Sequence, residues 1–317
     1  MIIENLISFG GLTKYTNENI LLREKQIKDK ITIHTCNDYE NSIEVIRDAK
    51  KNNEEVSIIL KVYFNYPDKF HRRNRPMTNQ IEEAIKRLGF IPNEFIIQFC
   101  CFINFKIFKK DYFIKFLKTL NEKYGIKKIY FEYYSVYRYD LQLINNLNEV
   151  FRDIIIFGVT GYFNFFNRVF LEKELDTIKK YKIPFVPIGI LGKNYKRDIS
   201  HDLNKLEKFR SLDHIDLNLI FFMKVIKDIP FSFGITETSS LTNYKDLKRR
   251  IKIVKSLDFD IILDYETYFG RQIINYIKKD QYGGRYFFTD YLKNIKIPLS
   301  QLKKYILYFK SPKYYLK

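Results

Sequence analysis

Short, almost continuous apolar runs alternate along this chain with longer stretches whose apolar residues return every three or four positions. The runs are Asn5–Phe9, Ile31–Thr35, Val56–Tyr63, Glu94–Cys101, Lys128–Ser135, Ile154–Thr160, Phe185–Gly189 and Phe231–Gly234. Runs of this length read as strands covered on both faces. The periodic stretches begin near Asn17 and continue as Asn41–Lys51, Thr78–Leu88, Asp111–Tyr124, Leu141–Phe151, a segment ending at Tyr181, Leu212–Ile226 and Tyr244–Leu257. Their spacing predicts amphipathic helices. Strand then helix, repeated along the chain, predicts a parallel α/β sheet with crossover helices. Eight such units in residues 1–257 fit a parallel (β/α)8 barrel of the TIM type, whose chemistry sits on the loops after the strands. A doubly wound sheet is the alternative, but no Gly-x-Gly-x-x-Gly turn follows the first strand. Beyond about Asp258 the alternation stops. Residues 258–317 are expected to form a basic Tyr- and Lys-rich C-terminal extension, packed on the barrel or partly mobile, with Gly283-Gly284 as a joint.

Composition acts mainly by exclusion. With 46% hydrophobic and 29% charged residues, the 317-residue chain reads as globular and soluble. No run reaches the roughly 18 consecutive apolar residues of a membrane helix; Gln98 and Asn104 interrupt the apolar stretch Phe95–Phe105. The start, Met1-Ile-Ile-Glu-Asn5, lacks the positive segment and apolar stretch of a secretory signal. Cys36, Cys100 and Cys101 have no metal or redox spacing and read as reduced thiols of a cytoplasmic protein. No metal site is expected, because His34, His71, His201 and His214 form no ligand pattern.

The net charge of +18 is unevenly spread. Eleven Lys/Arg against two acids, Asp280 and Asp290, put half of the excess between Arg271 and Lys317. A basic tail interleaved with Tyr and Phe suits a nucleic acid, an anionic membrane face or a phosphorylated ligand. No nucleic-acid motif accompanies it, however. Ile, Lys, Asn, Phe and Tyr are inflated together, as A+T-rich coding produces, and that reading of the charge is preferred. The cluster Arg72, Arg73 and Arg75 reads as a solvated loop before it reads as an anion clamp.

The strand-end segments, in order, resemble the aldo-keto reductases over about residues 4–257. Ile33-His-Thr-Cys-Asn-Asp-Tyr-Glu-Asn-Ser42 is similar to that family's Ile-Asp-Thr-Ala-x-x-Tyr-Gly-Asn-Ser segment, and Ser57-Ile-Ile-Leu-Lys-Val62 to its Phe-Ile-x-x-Lys-Val strand. Ala84-Ile-Lys-Arg-Leu-Gly89 resembles its Ser-Leu-x-Arg-Leu-Gly helix. Phe163-Asn-Phe-Phe-Asn-Arg168 with Glu172-Lys-Glu-Leu175 resembles its Tyr-Asn-Leu-Leu-Asn-Arg and Glu-x-Glu-Leu stretch. Leu191-Gly192 falls at its Leu-Gly turn, and Gly234–Leu247 at its phosphate loop and helix.

The resemblance implies carbonyl reduction with NADP or NAD as cofactor. Tyr39 is then the proton donor and Lys61 the ammonium that lowers its pKa, since a free phenol titrates near 10. The family's Asp beside the Lys is His34 here, and its His after strand four falls on Phe99, or on Gln98 under a one-residue slip. Ser135 stands at a carboxamide contact, Thr160 replaces a Gln, and Ile188 replaces the aromatic residue beneath the nicotinamide. Gly234, Thr236, Ser239 and Ser240 lead into a helix whose N-terminal N–H groups favour an anion. Lys245 and Arg249 fall at the positions that meet the 2′-phosphate and the adenine. Two readings remain open. One is a divergent NAD(P)H-dependent reductase of an aldehyde, ketone or sugar carbonyl with a partly degenerate active site. The other is a repurposed barrel without hydride transfer, doing non-redox chemistry or binding a phosphorylated or nucleotide ligand or a partner. A glycosidase built on Glu132 and Glu237 is the least favoured, because most carboxylates near a barrel mouth are solvated or ion-paired.

Overall fold

A computed structural model of the chain describes residues 7–9, 31–52, 56–64, 76–99, 111–133, 141–162, 172–191, 214–226, 234–236 and 241–256, except 38, 40, 93 and 153. Strands and helices alternate: β1 (Ile7–Phe9), β2 (Ile31–Cys36), α1 (Ser42–Asn52), β3 (Val56–Phe64), α2 (Met77–Leu88), β4 (Glu94–Phe99), α3 (Asp111–Tyr124) and β5 (Lys128–Tyr133). Then come α4 (Leu141–Val150), β6 (Ile156–Tyr162), α5 (Glu172–Lys180), β7 (Phe185–Ile188), α6 (His214–Ile226), β8 (Gly234–Thr236) and α7 (Leu241–Lys255). Strands β2 to β7 form a curled parallel arc with helices between them, in line with the alternation in the sequence. The short β1 pairs with both β2 and β8, and Ile235 of β8 stands opposite Ile188 of β7, so the sheet closes on itself. A doubly wound sheet has no such β1–β8 pairing.

Two apolar clusters hold the structure. The larger lies between sheet and helices, where Ile33, Ile58, Leu60, Phe95, Ile97, Ile129, Phe131 and Phe157 from the strands meet Ile46, Ile81, Leu117 and Ile144 from α1 to α4. Helix α2 shows the pattern behind this packing. Its buried residues Met77, Gln80, Ile81, Ala84 and Leu88 return every three or four positions and so form one stripe. The helix stops at Gly89, whose left-handed φ of 79° costs a glycine little and lets its N–H reach the Ile85 carbonyl at 2.8 Å. Asn148 of α4 clamps β6, accepting from the Phe157 N–H at 2.7 Å and donating to the Phe157 carbonyl at 2.9 Å.

The smaller cluster, Ile59, Ile96, Tyr130, Val186 and Ile188, fills the inside of the barrel. Gly158 is what lets Tyr130 lie there. A Cβ at that position would stand 2.7 Å from the Tyr130 ring and 2.5 Å from the Pro184 carbonyl oxygen. In α6, Asn218 to Met223 are six consecutive buried residues, so that stretch is covered all round.

Some expected boundaries move. Strand six begins at Ile156 and not at Ile154, because the chain is still turning out of α4, with the Ile154 and Ile155 N–H groups bonded back to the Phe151 carbonyl. Strand eight extends through Thr236, since its pairing with Ile7–Phe9 continues past the expected end at Gly234. No described helix is long and apolar enough to cross a membrane. The helix near Asn17, the basic loop from His71 to Arg75, Cys100, Cys101 and the extension 258–317 all lie outside the described residues.

Candidate functional site

Register decides which polar side chains meet. From β2 to β3, His34 stands opposite Ile59 and Cys36 opposite Lys61. From β3 to β4, Lys61 aligns with Ile96, and Gln98 lies two residues further along β4. Gln98 then aligns with Glu132 on β5, Glu132 with Thr160 on β6, and Thr160 with Val186 on β7. Side chains alternate faces along a strand. Because Ile59, Ile96, Tyr130 and Val186 fill the interior, His34, Lys61, Gln98, Glu132 and Thr160 share that inward face. All five are buried. A band of polar groups therefore crosses β2 to β6 within an otherwise apolar barrel.

The ammonium of Lys61 binds the carboxylate of Glu132. Its Nζ lies 2.9 Å from Oε2 and donates to Oε1 at 3.3 Å, with the two side chains 4% and 2% exposed. Burying either charge alone is costly, and burial is tolerated when opposite charges meet with hydrogen-bond geometry.

Tyr39 is presented by the turn that leads from β2 into α1. Its N–H donates to the Cys36 carbonyl at 3.2 Å, its own carbonyl accepts from the Ser42 N–H at 2.7 Å, and the Thr35 and Ser42 hydroxyls are 2.7 Å apart. The turn is fastened to α2 from outside. Asn37 donates its amide to the Gln80 carbonyl at 2.7 Å, while Arg87 donates to the Asn37 carbonyl at 3.1 Å. The same guanidinium grips Glu44 of α1 with bonds of 2.8 and 2.9 Å. That grip holds the Glu44 carboxyl below its usual range and raises Arg87.

Lys61 lies near enough to act on the Tyr39 hydroxyl, chiefly by its charge, and it pairs with Glu132, so phenol, ammonium and carboxylate influence one another. Burial pushes the Tyr39 hydroxyl well above its ordinary value; Lys61 pulls it down by charge and by hydrogen bonding, while Cys36 and Glu132 push it further up. The expected lowering by Lys61 is present but outweighed by desolvation. The His34 ring meets Tyr39 edge to face, 5.8 Å between centroids at 89°. Burial first and Lys61 second hold His34 well below its ordinary value, so at neutral pH it is uncharged. Among the described residues its Nε2, like Oε1 of Gln98, is buried with no hydrogen-bond partner.

The other expected site residues are dispersed. Phe99 is the last residue of β4, and Gln98 is the β4 residue in register with Glu132. Thr160 donates its hydroxyl to the Val186 carbonyl at 2.6 Å. Ile188 belongs to the interior cluster, and Leu191 is half-buried, its carbonyl accepting from Asn218 at 3.3 Å. Gly234 and Thr236 are strand residues opposite Ile7 and Phe9. Lys245 and Arg249 are exposed on α7, and Arg249 is tied to Asp246 at 2.7 Å. Ser135, Gly192, Glu237, Ser239 and Ser240 lie outside the described residues.

The link between Glu132 and Lys61 was missed from sequence. Its signal was a single carboxylate in one apolar run and a single ammonium in another, two charges that need each other once both strands are buried. For a nicotinamide dinucleotide the donor set divides. Cationic Lys245 and Arg249 suit its phosphates, and Ile188 suits the face of a ring, but Thr160 has already committed its proton to the backbone. A basic groove lined by Arg47, Lys50, Lys51, Lys86 and Arg87 sits along the C-terminal halves of α1 and α2. There the cations offset the helix carbonyl ends.

No family profile matches the chain, and no curated protein sequence matches it. Solved structures do. An aldo-keto reductase from Klebsiella pneumoniae in complex with NADPH superposes with a TM-score of 0.63 at 15% identity, covering 83% of this chain and 90% of that one. An aldo/keto reductase from the same organism in complex with NADP and acetate superposes with a TM-score of 0.58, at the same identity and coverage. The chain thus has the fold of the aldo-keto reductases.

Proposed function

We propose that this chain is a divergent aldo-keto reductase that uses NADPH or NADH to reduce an aldehyde, a ketone or the carbonyl of a sugar. The observation behind the reading is that Tyr39, in the turn after β2, and buried Lys61 of β3 are close enough for the ammonium charge to act on the phenol. The fold supports it, since similar solved structures bind NADPH or NADP. Lys245 and Arg249 would meet the phosphates, and Ile188 would lie against the nicotinamide. The cofactor, when bound, supplies the hydride; the remaining work falls to the chain. Tyr39 is protonated at neutral pH, as a free phenol is, and burial holds its hydroxyl higher still, so it has a proton to give to a carbonyl oxygen. Lys61 stabilises the phenolate left behind. The turn fastened by Arg87 and Asn37 fixes where that proton is delivered.

A barrel that transfers no hydride is favoured by two observations: the spent hydroxyl of Thr160, and the dominance of burial over Lys61 at Tyr39. Titration with NADPH and NADH, followed by energy transfer from the tyrosines, separates the two readings. A saturable signal at micromolar cofactor is expected. No saturation below millimolar selects the barrel without hydride transfer.

A further inference from the structure

We propose that Glu132 supplies from β5 the negative charge that the reductase pattern places on β2 at position 34, making Glu132 the positioning residue of the Tyr39–Lys61 pair. The proposal rests on the reductase reading and adds to it a residue which that pattern does not contain.

The argument begins at His34. A neutral imidazole brings no countercharge, and His34 is neutral because it is buried beside Lys61. An ammonium inside the barrel with nothing opposite would be an isolated buried charge, which proteins do not keep. Glu132 resolves this with contacts of 2.9 and 3.3 Å. Register makes the contact available: Lys61 sits beside Ile96, and Glu132 stands opposite Gln98, two residues further along β4. The carboxylate therefore reaches the ammonium across β4. Position 34 is left to a ring that packs edge-on against Tyr39. Lys61 is thus anchored to an anion while its charge acts on the phenol, so Glu132 sets where its Nζ stands relative to Tyr39.

The described ionisable groups acting on Tyr39 are Lys61 on β3, Cys36 on β2 and Glu132 on β5; His34 on β2 meets its ring edge to face, and β4 and β6 contribute only neutral Gln98 and Thr160. Of these, Cys36 and Glu132 hold the proton on Tyr39 and Lys61 favours its release. Removing the Glu132 charge therefore shifts Tyr39 towards ionisation at lower pH.

The test is a relocation of the carboxylate. Wild type, Glu132→Gln, His34→Asp and the double variant H34D/E132Q are compared for thermal midpoint, NADPH affinity, and the pH profile of kcat with a model aldehyde. Glu132→Gln is expected to lower the thermal midpoint and to reduce kcat on the order of a hundredfold through misplacement of Lys61. It should also move the alkaline limb to lower pH while leaving NADPH affinity unchanged. The double variant is expected to regain midpoint, kcat and alkaline limb together, because the carboxylate introduced at position 34 would face the same ammonium. A purely structural role would restore the midpoint without moving the pH profile.

Glu132→Gln with wild-type kcat and profile overturns the proposal, as does a folded double variant no better than Glu132→Gln. If Glu132→Gln does not fold, a folded, active double variant supports the relocation and an unfolded one overturns it. Failure of the reductase reading looks different. Wild type would then bind no NADPH and reduce nothing, which ends the positioning role, while the midpoint rescue still reports the ion pair.

Discussion

Replacing Lys61 by Met and Glu132 by Leu, singly and together, tests whether the buried pair is closed. At 2.9 Å and an effective dielectric near 20, the attraction is about 6 kcal/mol. Taking both charges out of water costs several kcal/mol for each, so the pair adds little net stability. Removing one partner is different. Lys61→Met leaves the Glu132 carboxylate 2% exposed with its cation gone, and a loss of about 3–5 kcal/mol is expected. That corresponds to a fall in melting midpoint on the order of 10 °C. The double variant K61M/E132L replaces two charges by apolar groups of similar volume beside Ile59, Ile96 and Tyr130. It should lie within about 1 kcal/mol of wild type, and so be more stable than either single variant. Urea unfolding followed by circular dichroism gives all three differences. A double variant no more stable than the weaker single one would refute the reasoning, as would a Lys61→Met loss under about 1 kcal/mol.

Other outcomes follow from single contacts. Gly158→Ala should cost about 1–3 kcal/mol in urea unfolding, because the new Cβ meets the Pro184 carbonyl oxygen, which has no rotamer to change; an unchanged midpoint would mean that β6 and β7 shift freely. His34 should make the protein acid-sensitive. Its folded pKa lies below its unfolded value near 6.5, so below that pH the unfolded chain takes a proton that the native chain does not. Stability should then fall as pH drops through the window under about 6.5, by up to about 1.4 kcal/mol per unit, and His34→Gln should flatten that slope. Arg87→Leu should lower the melting midpoint only slightly, since its pair with Glu44 is partly solvated and worth about 1 kcal/mol. It should nevertheless depress kcat, because the Tyr39 turn loses its bond to the Asn37 carbonyl; a parallel loss of midpoint and kcat would assign Arg87 to folding alone.

Much of the architecture was legible because buried parallel strands are apolar almost throughout, and their helices show one apolar stripe. Helix α3 matches its expected bounds at Asp111 and Tyr124. Boundaries were harder where apolar residues run across a turn. Ile154-Ile155-Ile156 reads as strand from its first residue, yet only the backbone bonds to Phe151 reveal that the turn persists through Ile155. At the site, Tyr39 and Lys61 were found because the segments Ile33–Ser42 and Ser57–Val62 resemble those of the aldo-keto reductases. Glu132 was visible only as a carboxylate in the run Lys128–Ser135, which is apolar enough on both faces to hide which residues point inward. Once Tyr130 is known to fill the barrel interior, alternation places Glu132 inside as well. Gln98 follows from the same alternation through Ile96. The sign of the Tyr39 shift was equally hidden, since it depends on how deeply a turn residue is covered.

Hydride transfer itself is the most direct measurement. Deuterated NADPH and NADH, each labelled on the transferring carbon, are incubated with a panel of aldehydes, ketones and sugars, and the alcohols are analysed by mass spectrometry. Wild type is expected to place deuterium on the former carbonyl carbon of at least one substrate. Tyr39→Phe should do so about 10²–10⁴ times more slowly with cofactor affinity retained. Wild-type protein that saturates with cofactor yet labels no product, or a Tyr39→Phe variant that labels as fast as wild type, would contradict the account.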